Sequence, residues 1–482
     1  MQDRTRQRLW GAAAAAAVTL VAGYTYALSW ADSACASGDG ASAKTQVFAC
    51  GLIISIGGTT KTPLATAYNN RGASYSYFDD ARALADYDKA IAVGSGDSVT
   101  LTNRADILYA RGKYDQAIAG YSEAIKLKPN YALAFRGRGN AHDSKGDYAR
   151  AIADYDEAIR LNPSDAQAFN DRGYTRANQE KYEDAIKDYN AATKLSNTYA
   201  AAFGNRGKAQ SELGNYAQAI GNFSRSLELE PGNVYILVER GYAYQNSDQT
   251  DLAFIDFSAA LTRDPKNAGA FNGRGNAYSE MGDNDRAIAD FDKAIALDPE
   301  YGAAFFDRAM AYANQELHHR AVADYSEAIR LMPKYARGWF ERGYAYRRLG
   351  EFDKAIADYD AGIKLEPDKA NGYIRRCWAQ ALANKDLAAA MADCTKALEL
   401  APGDYDALES RGLVRLRQHD YRGAYADSDK VLQAYKDAAA SLLVRGLAKR
   451  QIGDASGSAA DITAARAADE ALVKELGTYG VR

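Results

Sequence analysis

Small and aromatic residues recur along most of the chain with a period of about 34 residues. The clearest marker is an arginine followed by a small residue, which occurs twelve times between Arg71-Gly72 and Arg445-Gly446. Successive markers are separated by 33 residues, then by eight steps of 34, and finally by 35 and 34. Each period has room for two helices and a turn of the Gly-Asp-Tyr type between them. The pattern predicts a stack of helix–turn–helix units.

The second half of each unit keeps phase with the marker. An Ala-Ile pair is followed by aspartate with an aromatic residue, and then by a second small residue. Small residues let two antiparallel helices approach closely, and the aromatic ring fills the gap between one hairpin and the next. Proline cannot continue a helix and therefore ends the unit. Eight of the nine prolines occupy this one column: Pro129, Pro163, Pro231, Pro265, Pro299, Pro333, Pro367 and Pro402.

These features resemble the tetratricopeptide repeat (TPR) over residues 65–468. The resemblance implies an all-α fold, a right-handed TPR superhelical solenoid of about twelve 34-residue helix–turn–helix repeats. Residues 469–482 are then a C-terminal capping helix and tail. Three features more closely resemble a group of exported proteobacterial multi-TPR proteins: Cys35 and Cys50 ahead of Asn69-Asn70-Arg71-Gly72, Cys377 with Asp393-Cys394, and Asp461-Ile462 ahead of Tyr479-Gly480. That group implies a fold and export, but no particular ligand.

One departure from the repeat family is systematic. The marker carries arginine where these repeats usually carry leucine, and aspartate recurs ten times in one column of the second half of the unit. We hypothesise that the two columns pair between the two helices of each hairpin. The alternative is a pair of solvated charged stripes, since exposed ion pairs contribute little to stability.

The first 31 residues differ from the rest of the chain. Three arginines within the first eight residues form a basic start, and no charged residue occurs from Leu9 to Ala31. This segment is predicted to be a signal peptide cleaved near Ala31, or an N-terminal membrane anchor in which residues 9–31 cross the inner membrane. Both alternatives predict an exported, periplasmic protein, either soluble after cleavage or anchored. Residues 32–64 follow as a short cysteine-containing leader segment.

The four cysteines are predicted to form two disulfide bonds, because their number is even and the chain is predicted to be exported. Cys35 and Cys50 flank a Gly/Ser/Ala-rich stretch that a bridge would hold together. Cys377 and Cys394 lie on either side of a predicted turn and would face each other across one helix pair. The alternatives are a lipid-modified Cys50 and two inert buried thiols in the second pair.

Composition and motifs argue against catalysis and nucleic-acid binding. The net charge is −4, from 59 basic and 63 acidic residues, so no basic excess favours a nucleic-acid partner. The four histidines have no cysteine, histidine or carboxylate partners at metal-ligand spacing. No nucleophile elbow, phosphate-binding loop or dinucleotide fingerprint occurs. We therefore predict no metal, no cofactor and no enzymatic activity.

The TPR resemblance implies that the first helix of each repeat lines a concave groove. The columns facing this groove change from small polar residues in early repeats to aromatic residues and arginines in repeats 8 to 10. Aromatic rings beside arginines are typical of interface hot spots. The alternative is that the rings pack against neighbouring helices. The candidate partner-binding residues are Tyr174, Tyr242, Phe306, Phe340, Tyr344, Arg347, Arg348 and Trp378.

The sequence predicts a non-enzymatic scaffold of the cell envelope that holds a protein or peptide in the concave groove. A second hypothesis is a structural component of an envelope assembly complex that binds through its convex face or cap. A third is an enzyme with an unrecognised site. The identity of the partner and the oligomeric state are left open.

Overall fold

The computed structural model describes residues 23–36, 42–60, 62–94 and 96–482. The described residues form α-helices joined by short turns, and no β-strand occurs among them. The predicted all-α fold of helix pairs is therefore confirmed. The chain divides into two compact units, and the boundary in the sequence lies between Ile236 and Leu237.

The first unit contains a helix pair ahead of the repeats and then five repeats. Helix α1 covers residues 23–36 and α2 covers Ala43–Ser55. The repeats are α3 (Leu64–Tyr75) with α4 (Asp80–Ala92), α5 (Ser98–Ala110) with α6 (Tyr114–Leu127), α7 (Ala132–Ser144) with α8 (Tyr148–Leu161), α9 (Ala166–Asn178) with α10 (Tyr182–Leu195), and α11 (Ala200–Glu212) with α12 (Tyr216–Leu229).

The boundary between the units lies within α13 (Val234–Gln245), which pairs with α14 (Thr250–Arg263). The second unit continues with α15 (Ala268–Glu280) and α16 (Asn284–Leu297), α17 (Gly302–Asn314) and α18 (His318–Leu331), α19 (Ala336–Arg348) and α20 (Phe352–Leu365), α21 (Ala370–Ala383) and α22 (Leu387–Leu400), α23 (Tyr405–Arg417) and α24 (Tyr421–Ala434), α25 (Ala439–Gln451) and α26 (Ala455–Ala468), and the last helix α27 (Glu470–Thr478).

The marker arginine joins the two helices of its own hairpin. In repeat 9, Arg342 on α19 donates from Nε and Nη2 to the two carboxylate oxygens of Asp358 on α20, at 2.8 and 2.7 Å. The aspartate side chain is 7% exposed and the arginine side chain 17%, so the pair is largely withdrawn from water. The predicted pairing is confirmed, and the alternative of solvated charged stripes is wrong.

The same two-bond pair recurs for every aspartate of the column. The other nine pairs are Arg71–Asp86, Arg138–Asp154, Arg172–Asp188, Arg240–Asp256, Arg274–Asp290, Arg308–Asp324, Arg376–Asp393, Arg411–Asp427 and Arg445–Asp461.

The marker glycine makes room for the aromatic residue of the second helix. Phe257 on α14 is fully buried against Gly241 of its own repeat and Gly273 of the next. A Cβ atom at Gly273 would lie 2.3 Å from the ring, closer than packed atoms approach. The ring therefore contacts its own hairpin and the following one. The column proline follows eight of the twelve second helices, as Pro163 follows α8, which ends at Leu161.

Helices α1 and α2 pack ahead of the first repeat and are joined by a disulfide bond between Cys35 and Cys50. Both cysteines are fully buried in a small cluster that also contains Ala31, and α2 packs on α3. Of the predicted signal or anchor, residues 1–22 lie outside the described residues. Within the described ranges, no helix is both long and apolar enough to cross a membrane.

Candidate partner-binding groove

The first helices of repeats 9 to 12 are neighbours in the second unit, since α19 contacts α21, α21 contacts α23, and α23 contacts α25. These helices carry the predicted groove residues Tyr344, Arg347, Arg348 and Trp378, together with Arg417 near the end of α23. We call the surface formed by these five residues the first-helix face. It is the candidate site for a partner.

Aromatic and cationic groups adjoin one another on the first-helix face. The Tyr344 ring is 36% exposed, and the Arg347 guanidinium lies 4.8 Å from its centroid, a cation–π distance. Trp378 is partly buried and packs against the core cluster of the last repeats. A cleft of about 270 Å³ beside Tyr344 is lined in part by Met310, Glu341 and Arg348.

The chain's own last helix lies against this face. Glu475 on α27 accepts a hydrogen bond from Arg348, with 3.2 Å between Nη1 and Oε2. Arg347 Nη1 lies 3.7 Å from Oε1 of the same carboxylate. The two arginines are 14% and 29% exposed, and they are 127 or more residues from Glu475 in sequence. The capping helix therefore reaches a helix three repeats before the last one.

The residues after α27 continue along the same surface. The Tyr479 ring packs edge-on against Phe352 with the centroids 5.0 Å apart. Arg417 donates from Nη2 to the carbonyl of Tyr479 and from Nη1 to that of Gly480, the latter at 3.3 Å. Leu476 and Val481 are 2% and 3% exposed and belong to the core cluster of the last repeats. We call residues 470–482 the C-terminal segment.

Open clefts border the C-terminal segment. One of about 490 Å³ lies beside Phe352 and Tyr479, and one of about 270 Å³ lies beside Arg417 and Val481. A third, of about 610 Å³, is lined in part by Val473 and Val481. The segment therefore lies on the surface of the repeats with open clefts beside it.

Two predicted partner-binding residues belong to the core instead. Phe306 is 4% exposed and packs against the rings of Tyr325 and Tyr335, with centroids 5.5 and 5.2 Å away. Phe340 is 5% exposed and fills the space above Gly362, where a Cβ atom would lie 2.3 Å from the ring. These rings occupy the space left by neighbouring small residues, so their inclusion in the binding site was wrong.

The remaining predicted tyrosines lie elsewhere on the first helices. Tyr242 is partly buried, and its hydroxyl donates to the carbonyl of Gly269 at 2.8 Å. Burial and the neighbouring Tyr301 raise the pKa of Tyr242. Tyr174, in the first unit, is 49% exposed. The two residues are therefore not part of the first-helix face.

The first helices of the first unit carry hydrogen-bonded carboxylates that the sequence prediction did not include in a site. Asp106 accepts from the Tyr121 hydroxyl, and Asp143 accepts from Thr175 at 2.6 Å. Burial raises the pKa of Asp106 and Asp143, and raises that of Asp171 to about 6. All three aspartates lie on first helices, and this shared position is the sequence feature that could have identified them. A lone aspartate on a helix is usually solvated, so the feature is weak.

Cys377 and Cys394 are fully buried and disulfide-bonded across α21 and α22, with 5.7 Å between the Cα atoms. They lie in the same core cluster as Leu476, close behind the first-helix face. No group of three or more potential metal ligands occurs among the described residues. The arrangement offers ion pairing, ring contacts and backbone hydrogen bonding, which is the chemistry of binding a polypeptide.

Family models describe the same repeat. A model described as TPR repeat matches residues 105–146, and models described as tetratricopeptide repeat match 136–200, 205–268, 268–301 and 336–369. The chain belongs to the tetratricopeptide-repeat proteins, whose fold is typical of scaffolds for protein–protein interaction. No curated protein matches the chain.

Several solved structures are similar to this chain. YrrB, described as a TPR protein with an unusual peptide-binding site, is 26% identical and aligns over 38% of this chain and 95% of its own, with a TM-score of 0.35. The APC/C hetero-tetramer Cut9–Hcn1 is 14% identical over 94% and 95%, with a TM-score of 0.47. Pseudomonas aeruginosa PilF is 19% identical over 43% and 94%, with a TM-score of 0.40.

Proposed function

We propose that this protein is a non-enzymatic scaffold of the cell envelope that holds a segment of another protein on the first-helix face. One observation carries the proposal: the face already holds a peptide segment, the chain's own residues 470–482. Arginine pairs there with a carboxylate, and Arg417 binds backbone carbonyls; beside the face, the Tyr479 ring contacts Phe352 of α20.

The chemistry of the face favours a polypeptide over a small molecule. Tyrosine, tryptophan and arginine are the residues that most often dominate binding energy at protein interfaces. The cleft beside Tyr344 continues the face beyond the part occupied by the C-terminal segment. A partner segment could therefore contact Tyr344 and Arg348 together.

Two features support a location in the cell envelope: the paired cysteines, and the predicted signal peptide or membrane anchor in residues 1–31. All four cysteines are paired in the structure, and structural disulfides form and persist in oxidising compartments such as the periplasm. The basic start and the uncharged run of residues 9–31 are the sequence features of an export signal or anchor.

Site-specific photo-crosslinking in the native envelope tests the proposal. A photoreactive amino acid is placed at Tyr344 on the first-helix face and, as a matched control, at Ile255, an exposed residue of the second helix α14. We expect a discrete adduct with another protein from position 344 and none from position 255. Adducts from position 255 alone would overturn the first-helix face and favour an assembly component that binds through its second helices.

A further inference from the structure

We propose that the C-terminal segment is a resident, displaceable ligand of the first-helix face. The outside partner is then a short acidic helix that carries the same contact groups and competes with this segment. The inference rests on the proposed function and names both the partner chemistry and its regulation.

The contacts of the C-terminal segment exceed what a cap requires. A cap needs to cover the apolar surface of the last repeat, and the burial of Leu476 accomplishes this. The ion pairs of Glu475 serve another purpose, because they join α27 to α19, three repeats before the last. The Tyr479 ring likewise packs on Phe352 at the start of α20.

The pattern of contacts defines what an external ligand must supply. Arg417 binds main-chain carbonyls, which any peptide can offer. Specificity therefore rests on side chains: a carboxylate for the two arginines, a leucine directly after it, and an aromatic residue one turn further. In the C-terminal segment these are Glu475, Leu476 and Tyr479, and the aliphatic Val481 follows. The occupant we infer is an acidic amphipathic helix with this spacing.

The C-terminal segment can leave without unfolding the repeats. Helix α27 has nine residues, too few to be stable alone in water. The Glu475 side chain is 23% exposed, so salt can partly screen its ion pairs. Open clefts border the segment on the surface of the repeats. The covalent connection compensates by giving the segment a high effective concentration at the face.

Competition follows from this arrangement. An external helix binds only to the fraction of molecules whose face is free, so its apparent dissociation constant is raised by the inverse of that fraction. Weakening the internal contacts should increase the free fraction and tighten external binding. Reversing the charges of Arg347 and Arg348 should make the first-helix face prefer a basic residue where it now binds the carboxylate of Glu475.

The test uses the full chain and a labelled synthetic peptide of residues 469–482. A variant with Glu475→Ala and Tyr479→Ala loses the ion pairs and the ring contact but leaves Leu476 and Val481 unchanged. We expect this variant to bind the peptide at least about tenfold more tightly than the unmodified chain. The matched control, Lys474→Ala with Thr478→Ala, changes two exposed residues of α27 and should bind like the unmodified chain.

A charge exchange tests the ligand chemistry directly. Adding Arg347→Glu and Arg348→Glu to the weakened variant should abolish the gain for the natural peptide and restore binding to a peptide with lysine in place of Glu475. Equal peptide affinity of the weakened variant and the unmodified chain would overturn the proposal. Indifference to the charge exchange would also overturn it. Thermal melting of every variant shows that each one is folded.

These outcomes are separable from those of the proposed function. If position 344 yields the same crosslinked partner at the same level in the unmodified and weakened chains, the scaffold function stands and the displaceable segment is wrong. If the peptide experiment succeeds and no partner is crosslinked in either chain, the segment is a ligand of the face and the scaffold function fails.

Discussion

At the junctions between repeats, one arginine holds three helices together. Arg342 makes two hydrogen bonds to Asp358 across its own hairpin, and its Nη1 donates to Ser326 Oγ of the preceding repeat at 3.0 Å. Leucine, usual at this position of the repeat, could make none of these bonds. The planar guanidinium offers donors in a fixed geometry that suits a carboxylate on one side and a second acceptor on the other.

Removing this arginine should destabilise the protein strongly. Arg342→Leu leaves the Asp358 carboxylate buried without its charged partner, which costs about 3 kcal/mol. Urea unfolding of the variant measures the loss in unfolding free energy. The matched control is Arg330→Leu, which breaks an exposed pair with Glu327 and should cost under about 1 kcal/mol. Equal effects of the two substitutions would show that the buried pair has no special role.

Asp171 makes the stability of the first unit depend on pH. Burial is the largest cause that raises its pKa to about 6, from an ordinary value of 3.8. Asp143 and Asp165 nearby also raise this pKa, whereas Asn170 and Arg136 lower it. Between these two pKa values the folded carboxyl keeps a proton that the unfolded chain has lost. Its contribution to stability is therefore present below about pH 4 and is lost as the pH rises through about 6.

Replacing Asp171 with asparagine should remove this dependence. We expect Asp171→Asn to be more stable than the unmodified chain at pH 7.5, and to show a smaller fall in unfolding free energy between about pH 4 and 7. Denaturant titrations at several pH values measure both quantities. Asp184→Asn, at a fully exposed position, is the control and should leave the fall unchanged. If the unfolding free energy of Asp171→Asn fell with pH as much as that of the unmodified chain, the pH dependence could not be assigned to Asp171.

At the scale of the element, the helix pair of repeat 10 differs from the others. The step from its marker to the next is 35 residues, and its turn contains two non-glycine residues with positive φ, Asn384 at 52° and Asp386 at 42°. Asparagine and aspartate adopt this left-handed conformation more readily than other residues with a side chain. The bond between Cys377 and Cys394 closes the same hairpin, so the covalent link and the unusual turn occur together.

Loss of this bond should weaken the last repeats. Mass spectrometry of unreduced protein from the periplasm should find the peptides that contain Cys377 and Cys394 linked. The double variant Cys377→Ala/Cys394→Ala should lower the unfolding free energy by about 2–4 kcal/mol. The corresponding variant of Cys35 and Cys50 provides the comparison for the N-terminal helix pair. Recovery of Cys377 and Cys394 as free, alkylatable thiols would exclude the bond.

At the scale of the whole molecule, each unit has its own repeats and its own terminal addition. The first unit carries the helix pair α1 and α2 ahead of its repeats, and the second carries the C-terminal segment behind its repeats. Repeat arrays need such ends, because the terminal repeat would otherwise expose the surface that each inner repeat buries. In the second unit this addition also covers part of the candidate site.

The predicted signal peptide or anchor in residues 1–31 should direct the whole chain out of the cytoplasm. A fusion of residues 1–60 to a reporter that is active only in the periplasm should be active, because the segment begins with arginines and continues with an uncharged run. Reversing the basic start by changing its three arginines to glutamate is the control and should reduce export. If the reporter fused to unmodified residues 1–60 were inactive, the export prediction would be wrong. The argument that the disulfides form because the protein is in the periplasm would then be lost as well.

The repeat architecture and the arginine–aspartate pairs could be predicted because they depend on local spacing. A 34-residue period places the same residue types at the same contacts in each hairpin, so Arg342 and Asp358 meet wherever the hairpin lies in the stack. The Cys377–Cys394 pair was predictable for the same reason, since both residues lie within one hairpin. The Cys35–Cys50 pair was predicted from the even number of cysteines and the predicted export. Phe306 and Tyr344 could not be told apart in this way, because both lie in columns facing the groove.

The sequence by itself determined the all-α repeat, its twelve markers and the pairing within each hairpin, because these follow from contacts between residues close in the chain. Only the tertiary structure decided which aromatic residues stay accessible, because burial depends on the size of neighbours such as Gly362 beside Phe340. It also decided that the C-terminal segment lies on the first-helix face. That contact joins residues more than a hundred positions apart, and no periodic pattern links Glu475 to Arg348.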